Sequence, residues 1–324
     1  RATLFLARDH LGIKPLYYAK TDDFLVFASE IKAIFASGLV AKRVNEKAMF
    51  DYLCRQAPPY LDTMFEGVHE LEPGTWMEVA ASGEIKSSKY FYLEDDWRQF
   101  ESLPSTEDDV TQLVEERIEL SVRRQLISDV PVGIALSGGM DSAIVYRYMF
   151  KEFPETLHAF TYANTDAEIN ELGKAADVTE HFGGQVSHHV TRVEVSDSLR
   201  YFKEACRLLD SPVAYQSSIP VLLISRHASR HGIKVLMSGQ GGDELFLGYE
   251  RYLRWIDQGL LDEESSVTWA ENLYFGSGIG NVEQVERLTG VSKKYVQTSP
   301  IYQWAFDHQD LPPLKRMAIF DQKF

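Results

Sequence analysis

The chain has 324 residues, 44% of them hydrophobic and 25% charged, which are the proportions of a globular rather than a disordered protein. Lys plus Arg number 33 against 48 Asp plus Glu, a formal net charge of −15 that repels phosphate backbones and anionic lipid heads, so nucleic acid and membrane surfaces are poor partners. No apolar run approaches the roughly 18 residues that span a bilayer, and no basic segment leads into a secretion signal, so the expected location is the cytoplasm.

At roughly 150 residues per domain the length suits about two domains. The chain opens on Arg1 and a strand-like run at residues 3–7, and a further segment is expected upstream; the last residues, Phe320 to Phe324, likewise lack a stop signal. Residues 1–92 read as a β-rich layer domain. Leu16 to Ala19, Phe24 to Ala28 and Thr75 to Val79 are β-branched or aromatic runs between Gly, Pro and Asp turns. Asn45 is placed to cap a helix carrying Ala48, Tyr52 and Leu53 on one face. Residues 93–109 are acidic and turn-forming and read as a linker.

From 110 to 324 the rhythm is strand, helix, strand. A helix from Val110 to Leu126 precedes strand Val132 to Leu136, then a Gly-containing turn and a helix through Phe150. Strand Leu157 to Tyr162, helix Glu168 to Phe182 and strand Gln185 to Val190 follow. Helical stretches run through Leu209 and from Ser218 to His231, and strand Ile233 to Met237 ends in a second Gly-rich turn. Apolar strands alternating with helices predict an α/β fold with a parallel sheet covered on both faces, and ligands in such sheets sit beyond the carboxyl ends of the strands. The stretch from Trp255 reads as mainly helical. Cys54 and Cys206 show no paired metal-ligand spacing and read as buried small hydrophobes.

The first turn is Leu136-Ser137-Gly138-Gly139-Met140-Asp141-Ser142. Its glycines let backbone N–H groups approach an anion, and the helix that follows adds unpaired donors and a positive partial charge. Ser137 and Ser142 can donate hydroxyl hydrogen bonds to the same oxyanion. Asp141 would repel a bare phosphate, so its place is understandable if it holds Mg²⁺ against a pyrophosphate. No Lys follows the glycines, so this is not the Lys-containing nucleotide loop. The bland alternative is a capped strand-to-helix turn. A second turn, Ser238-Gly239-Gln240-Gly241-Gly242-Asp243-Glu244, weighs against it, because three glycines in four positions serve a close backbone approach better than a structural turn. Asp243 supplies a second carboxylate able to share the metal with Asp141.

The segments LSGGMDS, preceded by Ser128-Asp129-Val130-Pro131-Val132-Gly133, and SGQGGDELFLGY resemble the ATP-pyrophosphatase (PP-loop, adenine nucleotide alpha hydrolase-like) domain of glutamine-hydrolysing asparagine synthetases. Residues 8–18, RDHLGIKPLYY, and 27–33, FASEIKA, are similar to the latter half of that family's N-terminal Ntn-type glutaminase domain. The resemblance implies domains at 1–92 and 110–324. It also implies synthesis of asparagine from aspartate through a β-aspartyl adenylate, with ATP and Mg²⁺, and with glutamine or ammonia as nitrogen donor. AMP and pyrophosphate are the other products. A homodimer is compatible with it.

By the same resemblance Ser137, Gly138, Gly139, Asp141 and Ser142 form the pyrophosphate loop. Leu136, Tyr162, Ser238 and Gly239 contact the nucleoside, and Asp141 and Asp243 carry the metal. Gln240 stands where some members carry a Glu linked to adenylate formation; Gln cannot act as a base and can only orient substrate through its amide. The family's N-terminal cysteine nucleophile has no counterpart at Arg1, and its glutamine-binding Arg and NGE-type segments are absent, so the chain as it stands is not expected to hydrolyse glutamine. The segment that usually completes the synthetase site at the far end is not matched.

Three alternatives remain open at this level. One is a related synthetase amidating another carboxylate, such as a β-lactam or peptide-modifying enzyme, and another is a nucleotide-binding module without activity. The third, a tRNA-modifying ATP pyrophosphatase, is disfavoured by the acidic charge and the lack of a Cys pair or basic patch. The adjacent His188 and His189 would point to opposite faces of a strand and are expected to be structural. Asp210 with Ser217 and Ser218 suits an aspartate pocket, and capping of the next helix explains the two serines equally well.

Overall fold

The computed structural model describes residues 3–57, 60–93, 106–153, 157–164, 171–182, 186–213, 217–257, 282–308, 311, 316, 317 and 319. By contact the chain divides into two units. One comprises Arg1–Gln99, Leu209–Ala214 and Leu247–Phe324, and the other Phe100–Leu208 and Tyr215–Phe246. Most of the expected linker, residues 94–105, and the expected helix start at Glu168 lie outside the described residues.

In the first unit the alternating runs form β1 (Thr3–Ala7), β2 (Tyr17–Lys20), β3 (Leu25–Ala28), β4 (His69–Glu70), β5 (Thr75–Ala80) and β6 (Ile85–Lys89). They pair antiparallel in two sheets, ordered β1-β5-β6 and β3-β2-β4. Leu6, Leu71 and Met77 make one small core and Ala19, Ile31, Ile34 and Val68 another. Arg8 is buried at the end of β1, where its guanidinium donates to the carbonyls of Leu71 at 2.7 Å and Gly12 at 2.8 Å and pairs with Glu70 at 2.7 Å. Those bonds satisfy a cation that burial alone would penalise heavily.

Asn45 caps the helix Glu46–Arg55 as expected, its Oδ1 accepting the Ala48 N–H at 3.2 Å. That helix is buried more widely than its periodicity predicts. Phe50 and Cys54 pack with Val285, Ile301 and Trp304 from the helical tail. Burial pushes the Cys54 thiol up to about 12, which makes it an inert apolar group, while Cys206 is only half-buried.

Asp51 on the same helix is 1% exposed and accepts a hydrogen bond from the Tyr295 hydroxyl at 3.2 Å. Burial raises its carboxyl to about 7, against the opposing pull of Arg55 and of that hydrogen bond. Between the ordinary carboxylate range near pH 4 and pH 7 the folded state therefore holds a proton that the unfolded chain has released. Stability should fall as pH rises across that window. Asp51→Asn is expected to remove the slope, gaining on the order of 2–4 kcal/mol over the parent at pH 8 relative to pH 4. Urea melts at the two pH values check this, and an unchanged slope would refute it.

The second unit carries β7 (Val132–Ala135), β8 (Leu157–Asn164), β9 (Val186–Val193) and β10 (Val235–Met237), all parallel, in the order β10-β7-β8-β9. Ile134, Leu136, Ala159 and Met237 bury one face with Tyr146 and Met149 of the helix Met140–Glu152 and Ala175 of the helix Glu171–Phe182. Phe160 and Val193 face the other way, toward Ile219, Leu223 and Ala228 of the helix Ser218–Arg230. The larger of these, the Ile, Leu, Met, Val and Phe side chains, contribute about 1.5–3 kcal/mol each when fully buried. The unit is thus the α/β parallel sheet that the sequence predicts.

The helix expected from Val110 starts at Glu107 instead, because Thr106 caps it by accepting the Asp109 N–H at 3.2 Å. Glu107, Asp108 and Asp109 in its first turn and Arg123 and Arg124 in its last complement the helix dipole. Among the described residues no helix is long and apolar enough to cross a membrane.

Candidate active site

Both glycine-rich turns leave the carboxyl ends of neighbouring strands. β7 and β10 pair directly, with Ile134 opposite Met237, so the turns that follow emerge side by side. The first is anchored from below: the buried Leu136 N–H donates to the Phe160 carbonyl at 2.9 Å, and the Leu136 carbonyl accepts from the Thr161 hydroxyl at 2.7 Å. Ser137 Oγ lies 3.1 Å from Ser142 Oγ and accepts the Gly139 N–H at 3.2 Å, while Ser142 Oγ donates to the Gly139 carbonyl at 3.0 Å. Two hydroxyls and the amino end of the helix Met140–Glu152 are gathered in one turn, and its cap residue Gly139 brings no side-chain oxygen to occupy those donors.

Glycine is required here by both conformation and space. Gly138 has φ +77°, and a Cβ on it would lie 2.5 Å from the Ala175 nitrogen and 2.6 Å from the Lys174 carbonyl carbon. A Cβ on Gly239 would stand 2.6 Å from the Ser142 nitrogen, and one on Gly242 would stand 2.5 Å from Cγ of Asp141. The second turn therefore rests against the first at Asp141 and Ser142.

That contact concentrates negative charge. Asp141 and Asp243 are both half-buried, and Glu244 follows on the short helix Gly242–Phe246. The Asp141 carboxyl is raised above its usual range by burial first, then by the charges of Asp243 and Glu244. Hard carboxylate oxygens held together against their own repulsion fit a divalent cation such as Mg²⁺. Ser238 Oγ accepts the Gln240 N–H at 3.3 Å, and the Gln240 side chain is exposed.

The structure thus brings together Leu136, Ser137, Gly138, Gly139, Asp141, Ser142, Ser238, Gly239, Gln240 and Asp243. Tyr162 sits one residue past Thr161 on β8, with its ring among Val193, Ile219 and Leu223 and its hydroxyl raised by burial and by Glu171. Sequence reasoning missed Thr161, which is fully buried and fixes the height of the first turn, because an isolated strand Thr carries no signal.

Two lesser expectations change. Ser217 stands at the amino end of the helix Ser218–Arg230 in a helical conformation with no side-chain cap bond, so capping does not account for it. Asp210, at φ 54°, is held by Lys32, whose backbone N–H and Nζ donate to its Oδ2 at 3.0 and 3.1 Å. His188 and His189 do face opposite ways: His188 meets Thr161 at 2.8 Å and His189 meets His158 at 3.0 Å.

Fold and site together define an α/β domain with two glycine-rich turns and an acidic pair at the carboxyl edge of a parallel sheet. The sequence profile of asparagine synthase matches residues 113–323, and that of a glutamine amidotransferase domain matches residues 1–91. The chain belongs to the asparagine synthase family. The glutamine-hydrolyzing asparagine synthetase 1 of Bacillus subtilis (strain 168) is 32% identical over 255 residues, 77% of this chain and 38% of that protein. Amidase chry2 of Gibberella zeae is 28% identical over 265 residues, 78% of this chain and 39% of that one. The chain thus spans well under half the length of these curated relatives. Among solved structures, an NH3-dependent NAD synthetase from Campylobacter jejuni is similar at a TM-score of 0.31 and 14% identity, covering 62% of this chain and 96% of that one.

Proposed function

We propose that the protein serves an ATP-dependent synthesis of asparagine from aspartate, with glutamine or ammonia as nitrogen donor, in the cytoplasm. The observation that carries this reading is the meeting of the two turns at Asp141. Ser137 and Ser142 hydroxyls and the N–H groups at the start of the helix Met140–Glu152 bind the pyrophosphate oxygens of ATP. Leu136, Tyr162, Ser238 and Gly239 offer backbone contacts to the nucleoside. Asp141 and Asp243 would hold Mg²⁺, which when bound neutralises charge growing on the departing pyrophosphate.

A carboxylate is a poor electrophile until it carries a good leaving group. The substrate carboxylate oxygen bonds to the α-phosphorus as the bond to pyrophosphate breaks. Ammonia then adds to the acyl carbon, a proton leaves the nitrogen, and the carbon–oxygen bond to AMP breaks. The helix-end donors stabilise the leaving pyrophosphate, and Gln240 orients substrate through its amide without taking a proton. The amidotransferase match over residues 1–91 supports glutamine as the nitrogen source, and the division into domains at 1–92 and 110–324 belongs to the same proposal.

Gln240 favours one second reading, a relative amidating a different carboxylate. Pyrophosphate release from Mg-ATP with ammonium as donor separates the two. Dependence on aspartate supports asparagine synthesis, release only with another acid supports the second reading, and no release with any acid refutes both.

A further inference from the structure

Four histidines gather on the sheet face opposite His188. His158 is the second residue of β8, and His189 lies opposite Phe160 in the β8–β9 register, so both side chains share the face covered by the helix Ser218–Arg230. That helix brings His227, and His231 follows one turn on at its carboxyl cap. The rings of His189 and His231 are 4.1 Å apart and those of His227 and His231 4.9 Å. The buried ring of Phe160 floors the group, 4.7 Å from His189, 5.7 Å from His227 and 6.0 Å from His231.

The geometry points to a binding site for a divalent first-row transition ion, zinc above all, formed by His189, His227 and His231. One ring nitrogen from each lies within 4.8 Å of the others. The outer contacts set the rings as metal ligands require. His231 Nδ1 donates to the His227 carbonyl at 2.9 Å, which leaves its Nε2 lone pair to a metal. His227 Nδ1 is 2.8 Å from Thr191 Oγ1, and His189 Nε2 is 3.0 Å from His158 Nδ1, so each keeps its second nitrogen for coordination.

Zinc at about 2.0–2.1 Å from each nitrogen spaces tetrahedral ligands roughly 3.4 Å apart, so the rings draw in by about 1 Å on binding. Three imidazoles and no thiolate select Zn²⁺, Co²⁺, Ni²⁺ or Cu²⁺ over Mg²⁺. His158 lies near the amino end of β8 and His231 precedes β10, whereas the glycine-rich turns follow the carboxyl ends of β7 and β10. The ion would therefore pin β9 to the helix Ser218–Arg230 at a place separate from the acidic pair, and the inference stands independently of the proposed reaction.

Calorimetric titration of the tag-free, chelator-treated protein with Zn²⁺ tests it. The expected result is one ion per chain at micromolar or tighter Kd, undisturbed by millimolar Mg²⁺, with the melting temperature raised by about 5 °C at saturating metal. His231→Ala, at an exposed position, and His227→Ala should each weaken binding at least about 10-fold, with circular dichroism confirming their fold, and His181→Ala should leave it unchanged. Absence of saturable binding, displacement of Zn²⁺ by Mg²⁺, or undiminished affinity in both folded variants would overturn the assignment.

Discussion

Asp141→Asn should lower carboxylate-dependent pyrophosphate release from Mg-ATP by about 10²–10³-fold, the loss typical of removing one group that meets charge developing in the transition state. Asn keeps the shape of the side chain and its packing against Gly239 and Gly242, but it relieves the repulsion with Asp243 and Glu244 instead of leaving that work to a cation. The variant should therefore fold as well as the parent. A steady-state pyrophosphate assay with thermal melts checks both halves. Near-parental activity would mean that Asp141 holds no metal, and a large fall in stability would mean that it serves the fold.

Gly138→Ala should cost about 2–5 kcal/mol, because it adds a left-handed backbone penalty to a clash with backbone atoms that cannot step aside. The Cβ would lie 2.5 Å from the Ala175 nitrogen, on a helix already buried against Tyr146 and Leu136. Gly241, at φ +97°, has open space where its Cβ would go, so Gly241→Ala should cost only the conformational part, roughly 1–2 kcal/mol. Urea unfolding of the two variants side by side separates strain from collision. Equal losses would show that the packing of the first turn on Lys174 and Ala175 contributes nothing.

Much of this is legible in the sequence. Short runs rich in apolar and β-branched residues, alternating with helical stretches, located the parallel strands β7 to β10, and the turns announced themselves because glycines crowded at the ends of β7 and β10 have little purpose without a ligand. Strand limits were less readable: β8 runs on to Asn164 and β9 to Val193, since the ladder between them continues through polar residues that carry no periodic signal. The contact of Gly242 with Asp141 joins residues 101 positions apart in the chain, and only the pairing of β10 with β7 creates it.

The same holds for Asp51, whose burial follows from tail residues Val285, Ile301 and Trp304 closing over its helix. Of the histidine group, the spacing of four between His227 and His231 was a usable sign, because it puts both on one helix face. Their meeting with His189 was not, since it depends on which helix covers β9.

Whether the two turns act as one site is tested most directly by calorimetric Mg-ATP binding to the parent, Asp141→Asn, Asp243→Asn and the double variant. One shared site predicts strong coupling, with the double variant binding no more weakly than the weaker single one. Losses that simply add, or parental affinity in either single variant, would contradict it.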